Sequence, residues 1–278
     1  MQKRKTDHLR ICLEKDVEVG SAGFEDVALV HNALPEVDLS KIDISTRFLN
    51  KKLKAPILIE AMTGGTTEAK AINGKLAQVA EEMGLGIEVG SQRAAIEDAG
   101  VSSTFSVVSK KAPNALKIAN LGAVQLNYGY GVGECKKAVD MVNADALALH
   151  LNPLQETIQP EGNTNFSDLL ERVEEVCSSL GKPVIVKEVG CGLSKCVGEK
   201  LVTAGVSCLD VGGFGGTSWT LIEGIRQGGK NSRIAESFRY WGIPTAISLL
   251  ELKDLDVLKI ASGGIRDGAA AAKSIVLG

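Results

Sequence analysis

Short runs of Ile, Val, Leu and Ala recur along the chain, and they are continuous rather than alternating with polar residues. A continuous apolar run of this length is typical of a strand that is buried on both faces of a parallel sheet. The pattern predicts seven such strands, at residues 57–61, 85–89, 116–120, 146–151, 184–189, 207–211 and 257–262.

The segments between these runs have helical periodicity. At residues 68–83 the apolar side chains recur at intervals of three and four, and Gly84 follows as a C-terminal cap. Residues 168–180 repeat the pattern, with Asp168 and Glu171 as the predicted N-terminal cap pair. Strands and helices therefore alternate, which indicates parallel β/α units.

Seven parallel strands favour an α/β protein with a (β/α)8 (TIM) barrel, with an open doubly wound sheet as the alternative. A closed barrel needs an eighth strand, and the sequence runs to Gly278, in or just after the helix that follows the seventh strand. We therefore expect a single domain over residues 1–278. It would comprise an N-terminal extension at 1–55, with a hairpin around Asn50 and Lys51, and a barrel at 56–278 that lacks the eighth strand.

Composition narrows the class of protein. Hydrophobic residues make up 44% of the chain, charged residues make up 23%, and the formal net charge is −3. These values are typical of a globular protein without a basic field for nucleic acid. No apolar run approaches the roughly 20 residues of a membrane-spanning helix, and the polar N-terminus is unlike a secretory signal. We expect a cytoplasmic protein without membrane or nucleic-acid partners. The cysteines form no C-x-x-C pair and are interpreted as structural.

Polar groups follow every predicted strand, at the end where barrel enzymes build their sites. Lys187 is unusual among them because it interrupts an apolar strand. A buried lysine without a partner costs several kcal/mol. An ion pair with Glu188 is a weak explanation, because neighbours in a strand point to opposite faces. An anionic or electron-rich ligand in the barrel mouth explains Lys187 better.

Two other strand ends indicate phosphate chemistry. Gly263-Gly-Ile-Arg266 is typical of a phosphate cradle after the seventh strand, although a tight turn with a solvated arginine is the alternative. His150, Asn152, Gln155 and Glu156 follow the fourth strand, and Glu156 is a candidate ligand for a hard cation such as Mg²⁺. The basic N-terminal residues 4–8 are, taken alone, predicted to be a solvated arm.

These stretches resemble the FMN-dependent type 2 isopentenyl diphosphate isomerases, in the same order and over nearly the whole chain. The matching motifs are Arg4-Lys-x-x-His8, Met62-Thr-Gly-Gly65, Ser91-Gln-Arg93, Asn120-Leu-Gly122, His150-Leu-Asn-Pro-Leu-Gln-Glu156, Val186-Lys-Glu-Val-Gly190, Gly215-Gly-Thr-Ser-Trp219, Trp241-Gly-Ile-Pro-Thr245 and Ala261-Ser-Gly-Gly-Ile-Arg266. The resemblance implies interconversion of isopentenyl and dimethylallyl diphosphate with reduced FMN, Mg²⁺ and NADPH as reductant. It also implies a homo-oligomer, because barrels of this kind commonly self-associate.

The resemblance assigns residues to each ligand. It implies FMN contacts from Ala61, Met62, Thr63, Ser91, Asn120, Lys187, Thr217, Gly263, Gly264 and Arg266. It implies substrate contacts from Arg4, Lys5, His8, Ser91, Gln92, Arg93, His150, Asn152 and Gln155. Glu156 matches the Mg²⁺ ligand. Since no Asp/Glu pair or His–Asp dyad stands out in the sequence, our hypothesis makes the reduced flavin the acid and base, with Gln155 and Glu156 positioning or relaying protons.

Two alternative functions stay open. An FMN-dependent 2-hydroxy-acid oxidase or dehydrogenase would share the barrel and its lysine, but it needs a histidine base near the flavin. Residues 261–267 contain no histidine, and His150 belongs to the fourth strand. The other alternative is a non-catalytic, truncated barrel that binds a flavin or a phosphate.

Overall fold

The computed structural model describes residues 2–278, and a single parallel sheet organises them. Its strands follow one another in chain order: β3 (Leu58–Ile59), β4 (Gly86–Glu88), β5 (Leu116–Gly122), β6 (Ala146–His150), β7 (Val184–Lys187), β8 (Cys208–Asp210) and β9 (Leu258–Ile260). A doubly wound sheet reverses its strand order at a switch point, and this sheet does not. The seven predicted strands and the barrel-type α/β fold are therefore confirmed.

A hairpin of β1 (Thr46–Phe48) and β2 (Lys51–Leu53) precedes the sheet, as the sequence predicts. The helices are α1 (Gln2–Glu14), α2 (Thr67–Met83), α3 (Arg93–Glu97), α4 (Ser103–Lys111), α5 (Val132–Val142), α6 (Pro153–Ile158), α7 (Leu169–Ser179), α8 (Lys195–Thr203), α9 (Trp219–Gln227), α10 (Gly229–Ser237), α11 (Thr245–Leu252) and α12 (Gly268–Leu277). Within residues 2–278, no helix is long and apolar enough to cross a membrane.

Helix ends agree with the sequence at α2 and differ at α7. Gly84 ends α2 in the left-handed conformation, with φ of 67°. The sequence predicts that Asp168 caps α7. In the structure its φ is 54°, and its side chain makes no capping hydrogen bond with the described residues. A side-chain cap needs an extended backbone that turns the oxygen towards the first-turn N–H groups. The left-handed backbone of Asp168 does not provide it, and this cap prediction is wrong.

The two-residue periodicity of the strands determines which side chains face the barrel interior and how far along the barrel axis the site lies. Successive side chains of a strand point to opposite faces, so every second residue of each strand faces the barrel interior. In β5 these residues are Leu116, Ile118 and Asn120. The lower interior is an apolar cluster of Leu53, Leu116, Ile118, Ala146, Ala148, Ile185 and Cys208. Leu53 belongs to β2, so the hairpin covers the end of the barrel at which the strands begin. Polar side chains follow this apolar cluster towards the carboxyl end of each strand.

The N-terminal helix α1 is not the solvated arm that the sequence predicts. Ile11 and Val17 are buried against Ile222 of α9, in a cluster that also contacts Trp219. In the segment that follows α1, the Val17 carbonyl accepts a hydrogen bond from the Ser218 backbone N–H at 2.8 Å. This packing holds the basic residues of α1 against the barrel mouth.

The N-terminal cap of α2 provides a test of the fold. Thr66 has an extended backbone, and its hydroxyl accepts from the Ala69 N–H at 3.1 Å. We expect Thr66→Ala to lower the free energy of unfolding by about 1 kcal/mol in urea denaturation, because this N–H loses its partner. The matched control is Thr203→Ala on an exposed turn of α8, which should leave stability unchanged. Equal effects of the two substitutions would contradict the capping role.

Candidate active site

A cavity of about 1030 Å³ opens at the carboxyl ends of the seven strands. It is lined by all but one of the residues to which the sequence assigns a ligand: Arg4, Lys5, His8, Ala61, Met62, Thr63, Ser91, Arg93, Asn120, His150, Asn152, Gln155, Glu156, Lys187, Thr217, Gly263, Gly264 and Arg266. Segments far apart in the sequence, from α1 to the loop after β9, therefore converge on one space.

Gln92 is the exception. Its side chain is completely buried behind the cavity, where its amide nitrogen donates to the Ala138 carbonyl at 2.8 Å. Its amide oxygen accepts from the backbone N–H of Asn120 at 2.9 Å. The Gln92 side chain does not line the cavity, because its amide ties β5 to α5 instead. The expected substrate contact of Gln92 stays a prediction.

The floor of the cavity is a layer of polar side chains, one from the end of each strand. Its members are Glu60, Glu88, Asn120, His150, Lys187, Asp210 and Ser262. The Lys187 ammonium lies 2.9 Å from a carboxylate oxygen of Glu60 and 2.9 Å from one of Asp210. Asp210 also accepts a hydrogen bond from the Ser262 hydroxyl. We call these seven residues the floor layer.

The carboxylates around Lys187 correct two sequence interpretations. A carboxylate cluster does exist, because Glu60, Glu88 and Asp210 have oxygens within 4.8 Å of one another. Lys187 is also not unpartnered, although its partners are not Glu188. The Glu188 carboxylate instead accepts from the N–H groups of residues 189–191. The sequence missed Glu60 and Asp210 because neither is near Lys187 along the chain: Asp210 meets it from the neighbouring strand β8, and Glu60 meets it across the barrel.

Ionisation in the floor layer is governed by burial and by these pairs. Burial lowers the pKa of Lys187, but attraction by Asp210, Glu60 and Glu88 outweighs it and raises this pKa well above its ordinary range. Burial, and then the charge of Asp210, raises the pKa of Glu60 to about 7. Burial also raises the pKa of Glu88 well above its ordinary value. Lys187 is therefore the fixed positive charge of the layer.

His150 is held in its neutral form. Burial, and then the charges of Lys187 and Lys5, lowers the pKa of His150 to about 3. Its Nδ1 lies 2.8 Å from the amide oxygen of Asn120, whose amide nitrogen donates to Glu88. The Asn120 oxygen is therefore an acceptor, and Nδ1 of His150 carries the proton. A neutral imidazole with this pKa is a hydrogen-bonding group and a poor base near neutral pH.

A second buried carboxylate, Glu223, joins α1 to the end of β6. One Glu223 oxygen lies 2.9 Å from Nε2 of His8, and the other accepts from Nε of Arg226 at 2.7 Å. The Gln155 amide lies 3.5 Å from the first oxygen. Burial raises the pKa of Glu223, but His8 and Arg226 outweigh this effect and lower it overall. The sequence signal for this site is a glutamate that interrupts the apolar run Thr220-Leu-Ile222 in α9.

The predicted cation ligand Glu156 lies in the first turn of α6 and is buried. One of its oxygens accepts from the Asn152 amide at 3.2 Å and the other from the Asn163 N–H at 2.5 Å. The amide oxygen of Asn152 is buried and has no hydrogen-bond partner among residues 2–278. Carboxylate and amide oxygens are ligands that Mg²⁺ accepts. Glu156 and Asn152 therefore fit a divalent cation at the cavity edge.

The glycine-rich loops at 212–217 and 263–266 pack directly against each other. Gly263 has φ of 99°, and a Cβ there would lie 2.1 Å from the Gly213 carbonyl oxygen. The Thr245 hydroxyl donates to the Gly263 carbonyl at 2.6 Å and fixes the second loop. Only glycine permits this approach, and α12 begins just beyond. The backbone therefore has the form of the expected phosphate cradle, while Arg266 pairs with Glu18 at 2.6 Å.

Fold and site together define a β/α-barrel protein with a cavity at its strand ends, over a layer of polar side chains. No model of a protein family matches the chain. Curated relatives named isopentenyl-diphosphate delta-isomerase do match. The one from Nostoc sp. is 50% identical over 100% of this chain and 80% of its own length. The one from Archaeoglobus fulgidus is 50% identical over 99% of this chain and 80% of its own length. The chain belongs to the isopentenyl-diphosphate delta-isomerase family.

A solved structure supports the fold independently. Inosine 5'-monophosphate dehydrogenase from Legionella pneumophila superposes with a TM-score of 0.61 over 94% of this chain and 67% of that chain, at 15% identity. At this identity the likeness concerns the fold alone.

The Glu223 network gives a second test. Glu223→Gln removes the charge that His8 and Arg226 share, so we expect the free energy of unfolding to fall by roughly 2–4 kcal/mol in urea at pH 7. The matched control is Glu236→Gln on α10, which removes an exposed Glu–Arg pair of the same spacing. That control should leave stability unchanged. If both substitutions had the same effect, Glu223 would not anchor α1.

Proposed function

We propose that the protein interconverts isopentenyl and dimethylallyl diphosphate by a 1,3-allylic proton shift, as a type 2 enzyme with reduced FMN, Mg²⁺ and NADPH as reductant. One observation carries this proposal: a single cavity joins the glycine cradle after β9, the ammonium of Lys187 and the basic face of α1. Such a cavity suits two phosphate-bearing ligands at once. The identity of about 50% to proteins named for this reaction supports the same assignment.

The FMN phosphate would lie in the cradle of Gly263 and Gly264, where backbone N–H groups and the start of α12 favour an anion. Lys187 would face the electron-rich edge of the ring from the floor layer. When bound, the reduced flavin would supply the group that donates and accepts the allylic proton, which accounts for a cavity in which His150 is a poor base. The ring would be flanked by Thr63 and Asn120, which line the same cavity.

The substrate diphosphate would bind towards α1, where Arg4, Lys5 and His8 line the cavity. Burial, and then the charge of Arg4, lowers the pKa of Lys5 to about 8. A diphosphate beside Lys5 restores the full charge, because an anion favours the protonated form. Mg²⁺ held by Glu156 and Asn152 would neutralise the diphosphate from the other side. Affinity then depends on the diphosphate, since the hydrocarbon part offers no polar groups.

Gln155 would border the reacting alkene. Its amide oxygen accepts from the Asn152 amide at 2.9 Å, so the side chain is held in place between the cation site and Glu223. A fixed amide can orient the substrate and exclude water where the proton moves. The 2-hydroxy-acid oxidase alternative is disfavoured, because the cavity histidine nearest the floor, His150, has a pKa of about 3.

The reaction itself is the direct test. Incubation of the protein with FMN, NADPH, Mg²⁺ and isopentenyl diphosphate under nitrogen should yield dimethylallyl diphosphate without net consumption of NADPH after the flavin is reduced. The product is measured by NMR. In a parallel incubation in air with a 2-hydroxy acid, oxygen-dependent oxidation of that acid would favour the oxidase instead. Flavin binding without turnover in either incubation would favour a non-catalytic barrel.

Gln155→Ala tests the assignment within the site. We expect turnover to fall by about a hundredfold or more, because the group that orients the proton transfer is lost. FMN binding, followed by flavin fluorescence, should stay unchanged since Gln155 lies away from the cradle. Gln78→Ala on the exposed face of α2 is the matched control. Unchanged turnover in Gln155→Ala would remove this residue from the mechanism.

A further inference from the structure

The two carboxylates that share Lys187 differ in their surroundings. The Asp210 side chain has no exposed surface and is also held by Ser262 and by the Gly212 N–H at 3.3 Å. The Glu60 side chain is 30% exposed and faces the cavity. One Glu60 oxygen contacts Lys187, and the other has no hydrogen-bond partner in the part of the chain that the structure describes. Asp210 is thus fixed through one oxygen by Ser262 and Gly212, while its other oxygen lies 2.9 Å from Lys187. Among the described residues, Glu60 has a hydrogen bond to Lys187 and no second anchor of this kind.

The floor layer carries more acid than base. The three carboxylates Glu60, Glu88 and Asp210 lie within 4.8 Å of one another, with Lys187 as their cation. His150 is neutral, Lys5 belongs to α1, and Lys259 of β9 donates to backbone carbonyls at the opposite end of the barrel. Three buried negative charges against one positive charge are unfavourable, so the cluster retains protons.

We propose that Asp210 is a positioning residue that holds Lys187 in the floor layer. Glu60 is then the partner of Lys187 that a bound cofactor replaces. The electron-rich edge of the bound cofactor would take the place of Glu60 on the ammonium, and Glu60 would then bind a proton from solvent. This inference rests on the proposed flavin function. It assigns to Glu60 a role in cofactor binding that is linked to proton uptake.

The linkage between proton binding and FMN binding gives the direction in which FMN affinity changes with pH. Without cofactor, Lys187 lowers the pKa of Glu60, against the larger upward effects of burial and Asp210. A cofactor that engages Lys187 removes that lowering, so the pKa of Glu60 rises above its value of about 7. The bound state then holds one proton more than the free state at pH above about 7. FMN affinity should therefore fall as the pH rises, by up to about tenfold per pH unit.

The test measures FMN affinity of the apoprotein from pH 7 to 9 by quenching of flavin fluorescence, for the wild type and Glu60→Gln. Glutamine cannot ionise, so we expect Glu60→Gln to lose this proton-linked decrease and to bind FMN more tightly than the wild type at pH 9. Lys5, Glu188 and the FMN phosphate also titrate, but they are present in both proteins and cancel in the comparison. Glu82→Gln on the exposed face of α2 should retain the wild-type slope.

Calorimetry in two buffers of different ionisation enthalpy gives a second measurement. The wild type should take up close to one proton per FMN at pH 8, and Glu60→Gln should take up correspondingly less. Asp210→Asn should weaken FMN binding at every pH, because Lys187 loses its fixed partner. If the wild type and Glu60→Gln have the same slope and proton uptake, the role of Glu60 is wrong while the flavin function stands. If the wild type binds no FMN at any pH, the proposed function itself is wrong.

Discussion

The buried ammonium of Lys187 is the constraint on which the rest of the site depends. An uncompensated charge at the floor of a barrel would cost several kcal/mol, so other strands must bring carboxylates to the same level. The strand register does this, because Lys187 is paired with His150 on one side and with Asp210 on the other. A shift of one residue would turn each of these side chains away from the interior. The register of the sheet therefore also determines which charged side chains meet in the site.

Two buried carboxylate sites divide the cavity into regions of opposite character. Around Lys187, acidic groups outnumber the base, so the floor retains protons. Around Glu223 basic groups predominate, since Arg226 contacts both Glu223 and Glu161 and since Arg4 and Lys5 line the cavity nearby. His8 adds a hydrogen bond to Glu223, and burial lowers the pKa of its imidazole. Under the proposed function the first region faces an electron-rich ring and the second receives a diphosphate. The packing of α1 on α9 matters for function because it completes the second region.

The fold was largely predictable because its signals are local. Continuous apolar runs and a glycine after α2 depend on a few neighbouring residues, and the structure has them where the sequence predicts. The predicted cap at Asp168 is a local feature, and it is wrong because the Asp168 backbone is left-handed. The other differences concern contacts between distant segments. Gln92 faces α5 rather than the cavity, because α3 begins directly after it and turns it inward. The basic residues of α1 predict a solvated arm when taken alone. The apolar residues on which this segment packs, Ile222 and Trp219, lie more than two hundred residues away from Ile11 and Val17.

The sequence by itself determined which residues lie at the carboxyl ends of the strands, since the apolar period and the parallel order bring them to one edge. It also determined the glycines of the loops at 212–217 and 263–266, where a Cβ would lie less than 3.0 Å from atoms of a neighbouring segment. Only the tertiary structure decided how the charges combine. Glu60, Lys187 and Asp210 come from three separate strands, and a pair interaction of this kind depends on distances of a few ångströms that no local pattern encodes. The same holds for His8 and Glu223, which meet at 2.9 Å only because α1 packs on α9.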